Sequence, residues 1–136
     1  MKEKIIEALK IMGFIPVPID DWAYEFEFEG LSYLYMLNDD EDCLNISVPL
    51  GAKLTDRNAD KFYDVVNSVN KDLFYVKAYK RDDDHIWLSY ELEYNEENKE
   101  ELDMIFARMI HALNHAARFV YRNIDDTFFD EDEQEN

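Results

Sequence analysis

Between Tyr24 and Gly30 the chain alternates aromatic and acidic residues, YEFEFEG. A strand sends successive side chains to opposite faces, so Tyr24, Phe26 and Phe28 share one face and Glu25, Glu27 and Glu29 the other. This stretch is the centre of a first strand, 22–29, and LSYLYML at 31–37 continues as a second. A third, 43–50, sets Leu44, Ile46, Val48 and Leu50 against Asn45 and Ser47. A fourth, 73–80, sets Phe74, Val76 and Ala78 against Tyr75, Lys77 and Tyr79. The fifth, 85–94, turns Ile86, Leu88, Tyr90, Leu92 and Tyr94 inward and Trp87, Ser89, Glu91 and Glu93 outward.

Elsewhere the apolar spacing is helical. Ile5, Ile6, Leu9 and Met12 form one stripe over 2–12, closed by Gly13. Ala59, Phe62, Val66 and Val69 form a second over 56–70, capped by Thr55 or Asp56. Leu102, Ile105, Phe106, Met109, Leu113, Ala117 and Val120 form a third over 96–122, opened by Asn95. Pro16 and Pro18 make an extended linker after the first helix.

A two-residue turn at Glu29-Gly30 would face Phe28 with Leu31, Phe26 with Tyr33 and Tyr24 with Tyr35. Glutamate is unusual there, and a bulged turn with a one-residue slip would invert the faces of the second strand. Most strand links are short, so the sheet should be largely antiparallel, and each helix has a single apolar face. The expected fold is α+β: a five-stranded largely antiparallel sheet with helices on one face, in the order α-β-β-β-α-β-β-α. One domain covers 1–122, and 123–136 is expected to be an acidic, disordered tail.

Charge sharpens the picture. The 136 residues carry 32 acids against 14 bases, net −18, with 47% hydrophobic and 15% aromatic content. That is enough apolar material for a core, while the net charge repels nucleic-acid phosphates and anionic membranes. Protein partners, basic ones included, are the natural class. A single cysteine, Cys43, excludes an internal disulfide, and MKEKIIEALK lacks the apolar run of a signal peptide. A cytoplasmic location is expected.

The order of elements, the small size and the acidity resemble the type III secretion chaperone-like fold shared with the YbjN-like family. The resemblance covers about residues 1–122 and carries no diagnostic motif. It implies non-enzymatic dimers that bind other polypeptides, or proteins of undefined role.

Catalytic chemistry is thinly supported. His111 and His115 sit i, i+4 on the last helix, a spacing that can present two imidazoles to zinc. HALNH lacks the glutamate of a metalloprotease helix, and no third ligand is evident. NDDED at 38–42 and RDDD at 81–84 share acidity with calcium loops but not their ligand spacing. Cys43 follows Asp42, whose charge disfavours a thiolate. No cofactor is expected, and the expected class is not an enzyme.

Two surfaces stand out. Leu34, Met36, Tyr75, Tyr79 and Trp87 should share the outer sheet face with Glu25, Glu27, Glu91 and Glu93. Aromatic residues and Met are enriched in interfaces, so this face is expected to hold a protein partner or a second copy. Arg108, His111, His115, Arg118 and Arg122 line one ridge of the last helix. Cations there suit the helix dipole, or they dock carboxylates from the tail or from a partner. The expected function is a chaperone-like protein-binding module. The alternatives are an acidic inhibitor or immunity protein masking a basic partner site, and, more remotely, a metal-dependent hydrolase.

Overall fold

The computed structural model describes residues 2–38, 43–94 and 101–130. Among them the order is α1 (Lys2–Ile11), β1 (Val17–Ile19), β2 (Ala23–Phe28), β3 (Leu31–Met36), β4 (Cys43–Lys53), α2 (Ala59–Asp72), β5 (Lys77–Lys80), β6 (His85–Glu93) and α3 (Leu102–Arg122). A 3-10 turn, Asp126–Phe128, follows. The strands form one antiparallel sheet in the order β1-β2-β3-β4-β6-β5. All three helices pack into one core with one face of it. That core contains Leu9, Phe26, Tyr33, Ile46, Leu88, Phe62, Phe106 and Met109.

The sheet therefore has six strands among the described residues, not five. The extra one is β1, in the segment expected to be a linker. Proline cannot donate to a ladder, but an edge strand tolerates it. β1 has one neighbour, and Pro18 stands opposite Tyr24.

The β2–β3 register has no slip. Phe28 faces Leu31, Phe26 faces Tyr33 and Tyr24 faces Tyr35. Glu29 (φ 50°) and Gly30 (φ 82°) both adopt the left-handed conformation that such a turn requires. Glutamate accepts this conformation because α3 grips it. Asn114 Nδ2 donates to Glu29 Oε2 at 2.8 Å, and Arg118 Nη2 donates to the Glu29 carbonyl at 2.7 Å.

Two helix starts differ from expectation. α2 begins at Ala59, so Ala59 is exposed and the buried stripe is Phe62, Val65 and Val69, with Val66 half-buried. Thr55 and Asp56 do not cap it. Thr55 Oγ1 accepts from the Arg57 N–H at 3.2 Å and donates to the Thr127 carbonyl at 2.7 Å. Asn58 is buried and ties three backbone groups: the Thr55 N–H, the Lys53 carbonyl and the Thr127 carbonyl. α3 starts at Leu102 after an extended Glu101 (ψ 147°), not at 96; its expected cap, Asn95, and residues 96–100 lie outside the described residues.

The chain also packs well past Arg122, where a disordered tail was expected to begin. Phe128 is fully buried and stacks on Phe62, centroids 6.3 Å apart. Lys61 Nζ pairs with Asp125 at 2.7 Å, Lys53 Nζ with Asp130 at 3.2 Å, and Arg57 Nη2 donates to the Phe129 carbonyl at 2.9 Å. The Lys61 ammonium, with help from Thr127, pulls the Asp125 carboxyl down to about 2. Acid content predicts solvation, but two phenylalanines and three cations, Lys53 on β4, Arg57 in the β4–α2 connection and Lys61 on α2, prevail here. Residues 131–136 lie outside the described residues.

The β5 edge is closed from within. Asn70 Nδ2 donates to the Ala78 carbonyl at 3.0 Å, and the Ala78 N–H donates to Asn70 Oδ1 at 2.8 Å. One side-chain amide thus satisfies the outward backbone pair of a four-residue edge strand, one way of blunting an open edge.

Tyr33 carries a cost. It is fully buried, and its hydroxyl has no hydrogen-bond partner among the described residues. Burial pushes its pKa up to about 12, with Arg118 opposing and Glu29 adding. Tyr33→Phe is expected to gain about 1 kcal/mol at neutral pH, because it removes an unsatisfied buried polar group. The folded pKa lies above the unfolded value of about 10. The tyrosine's contribution is therefore complete below that pH and is lost as pH rises through about 12. Urea melts at pH 7 and near pH 11 should show the phenylalanine variant ahead at both, with a wider margin at the higher pH. A loss of stability at pH 7 would contradict this.

Candidate functional site

The expected fourth strand breaks early, and the break makes the most exposed aromatic feature of the fold. The Val76 N–H donates to the Phe74 carbonyl at 2.8 Å, with Tyr75 between them at φ 70°. A three-residue closure with positive φ at its centre is the rare, strained form of γ-turn. For a bulky residue such a conformation costs of order 1–3 kcal/mol and persists only where the surroundings hold it. Here the Tyr75 ring stacks on Tyr90, centroids 5.8 Å apart and planes at 24°. Phe74 and Tyr75 are 83% and 78% exposed, while Val76, next along, is buried.

This corrects two expected placements. Phe74 is not a core residue. Tyr75 does not share the outer sheet face with Tyr79 and Trp87; it lies against Tyr90, which packs on the helix-side core.

The aromatic step faces α3. Asp72, Leu73, Phe74 and Tyr75 on one side, and His111, Ala112 and His115 on the other, line a groove of about 430 Å3. The structure thus brings Tyr75 of one expected surface together with His111 and His115 of the other. Arg108, His111, His115, Arg118 and Arg122 are all exposed on α3. Their environments differ. Burial raises the Tyr90 phenol, and the charge of Arg108 opposes that shift. Arg118 holds the β2–β3 turn. The tail carboxylates of Asp125 and Asp130 pair with Lys61 and Lys53 rather than with this ridge. Among the described residues no three His, Cys, Asp or Glu side chains converge to hold a metal.

The outer sheet face carries a second, smaller apolar cluster: Ala23, Leu34 and Trp87, with Ile19, Met36 and Tyr79 packed against it. Four of the five residues expected there are present together. They are not all available, however. Leu34 is 4% and Trp87 8% exposed. The Arg81 guanidinium lies 4.5 Å over the indole, and the indole N–H donates to Asp83 Oδ2 at 3.4 Å. Ser47 and Ser89, opposite each other on β4 and β6, are buried on the same face. This cluster has largely sealed itself.

Such a sheet, with three helices on one face, is the YbjN-like and type III secretion chaperone-like fold. No protein-family model matches the chain, and no curated protein matches it. YbjN from E. coli superposes with a TM-score of 0.65 at 12% identity, over 88% of this chain and 88% of its own. The type III secretion chaperone SycH of Yersinia pestis, solved with a stable fragment of YscM2, gives 0.59 at 16%, over 87% and 97%. An uncharacterized protein from Methanothermobacter thermautotrophicus gives 0.54 at 11%, over 91% and 99%. Among the described residues no helix is long and apolar enough to cross a membrane.

Proposed function

We propose that this chain is a non-catalytic, chaperone-like protein-binding module of the cytoplasm. In this reading it acts as a homodimer, and the Phe74–Tyr75 step with its groove against α3 holds an apolar segment of the partner. The observation that carries this reading is the strained turn at Tyr75, which keeps two aromatic rings in solvent. A chain selected for stability alone would bury them, since each large ring is worth about 1.5–3 kcal/mol in a core. Rigid aromatic anchors beside a concave wall are what binding hot spots are made of. The fold supports the same reading, because SycH, which shares it, was solved holding a piece of another protein. The net charge of −18 would keep such a complex dispersed.

Phe74→Ser tests this, because an exposed side chain can be changed without cost to the core. Tagged wild type and variant, matched for melting temperature, would be used to capture partners from native cell extract. The variant is expected to lose at least about tenfold of the specifically captured partner, the effect of deleting one anchor. Capture of the same proteins at the same level by both would remove the basis of the proposal.

A further inference from the structure

The glutamates that alternate with aromatics in β2 border a second recess, at the far end of the sheet from the aromatic step. β1 pairs with β2 only from Val17 opposite Glu25 to Ile19 opposite Ala23. Upstream, Gly13 (φ 95°) ends α1 and the chain leaves the sheet edge. The space left beside β2 is a recess of about 310 Å3, lined by Phe14, Ile15, Val17 and Phe26 together with Glu25 and Glu27. Its floor is firm, because the Phe14 ring packs on Phe26 at 4.8 Å and on Phe28 at 6.0 Å. Its lip is apolar and open, with Ile15 81% and Val17 52% exposed.

The two carboxylates on this recess are uncommitted. Four acids elsewhere in the fold have cations: Asp125 has Lys61, Asp130 has Lys53, Glu91 has Lys77 and Asp84 has Lys80. Neither the Glu25 nor the Glu27 side chain has an ion pair or hydrogen bond among the described residues.

We propose that this recess binds a segment of a partner protein in which an apolar side chain is flanked by Lys or Arg. The apolar side chain sits against Phe14, Ile15 and Val17, and the flanking cations reach Glu25 and Glu27. Charge favours this occupant at both ranges. The two rim carboxylates are complementary at contact, and the field of a chain with net charge −18 draws a basic segment in from a distance. A second copy of this chain, with 14 bases against 32 acids, is a poorer complement to these two carboxylates, and the proposed dimer pairs through another surface. The proposal goes beyond the aromatic step, and either surface can fail without the other.

A labelled hexapeptide, Lys-Lys-Leu-Leu-Lys-Lys, tests it by fluorescence anisotropy on the full chain. Two comparators replace Lys by Glu or Leu by Ser. Each comparator is expected to bind at least about tenfold more weakly, one losing the charge pairing and the other the buried side chain. Amide shifts on binding should centre on residues 13–17 and 25–27. The E25Q/E27Q variant should weaken the leucine peptide about tenfold. Asp64→Asn with Asp82→Asn removes the same charge from exposed sites elsewhere, and binding should stay within about threefold because distant charges are screened. Phe74→Ser should leave peptide binding unchanged.

Equal binding of the serine comparator would reduce the effect to the general field and overturn the proposal. So would equal losses in the two double variants, or shifts confined to Phe74–Tyr75. A particle that binds no peptide, yet halves in mass when Glu25 and Glu27 are replaced, would give the recess to a second copy and overturn it too.

Discussion

Phe128→Ala is expected to cost about 3–5 kcal/mol, as for other large buried aromatics. For a domain of this size that lowers the melting temperature by roughly 10–20 °C. Phe128 is fully buried, and its ring lies nearly parallel to Phe62 in the core. The turn that carries it is tied down by backbone carbonyls. Thr127 gives its carbonyl to both Thr55 and Asn58, and Phe129 gives its carbonyl to Arg57. Alanine would leave a cavity facing Phe62, with those bonds still holding the segment over it. Stopping the chain after Arg122 removes the ring and the ties together, and should lose at least as much. Lys61→Ala, which removes only the exposed partner of Asp125, should move the melting temperature far less. Thermal melts of the three proteins decide the matter. If Phe128→Ala and the truncation both melt like wild type, residues 123–130 are an appendage and the domain ends where α3 does.

That segment also shows where the sequence stops being legible. A run dense in acids normally cannot bury enough apolar surface to order itself. The decisive partners, Phe62, Arg57, Lys61 and Lys53, lie 64 to 77 positions upstream of the groups they meet, and no local pattern points to them. Regular alternation, by contrast, was readable. The pairing of Phe26 with Tyr33 and Tyr24 with Tyr35 follows from period two and a two-residue turn. Apart from β1, the element order follows from spacing alone, as do the single helical face and the exposed line of Arg108, His111, His115, Arg118 and Arg122. The aromatic step was not legible. Phe74 alternates correctly with Val76 and Ala78, so period two assigns it to the core. The γ-turn at Tyr75 breaks the alternation without a glycine or proline to mark it. Local rules fail where strain is stored, and such positions are often functional. β1 was missed for the opposite reason: two prolines argue against a strand, but Pro16 precedes it and the place of β1 at the sheet edge makes Pro18 harmless.

Trp87→Ala is the other change expected to be large, and its meaning depends on burial. Alternation places Trp87 on the outer sheet face, where it reads as a contact for a partner. It is indeed on that face, but 8% exposed, in one cluster with Leu34 and Ala23 and with Tyr79 and Met36 against it. Removing the indole would uncover Leu34, strand the Arg81 guanidinium that now lies over the ring, and free Asp83 from the indole N–H. The cavity and transfer loss for a buried tryptophan is about 3–5 kcal/mol. The cation–π contact adds about 0.5–1 kcal/mol. Stability, not recognition, should therefore register the change first. Urea denaturation should show the midpoint falling with the slope unchanged. The emission left in the variant belongs to Trp22, which is 38% exposed, and should be red-shifted from that of wild type. Tyr79→Ala, at a half-buried position on the rim of the same cluster, should cost a fraction as much. A Trp87→Ala protein with wild-type stability and a lost partner would reverse this account. The outer cluster would then be a docking surface held ready for a partner, and the aromatic step at Phe74–Tyr75 would no longer be the first place to look for one.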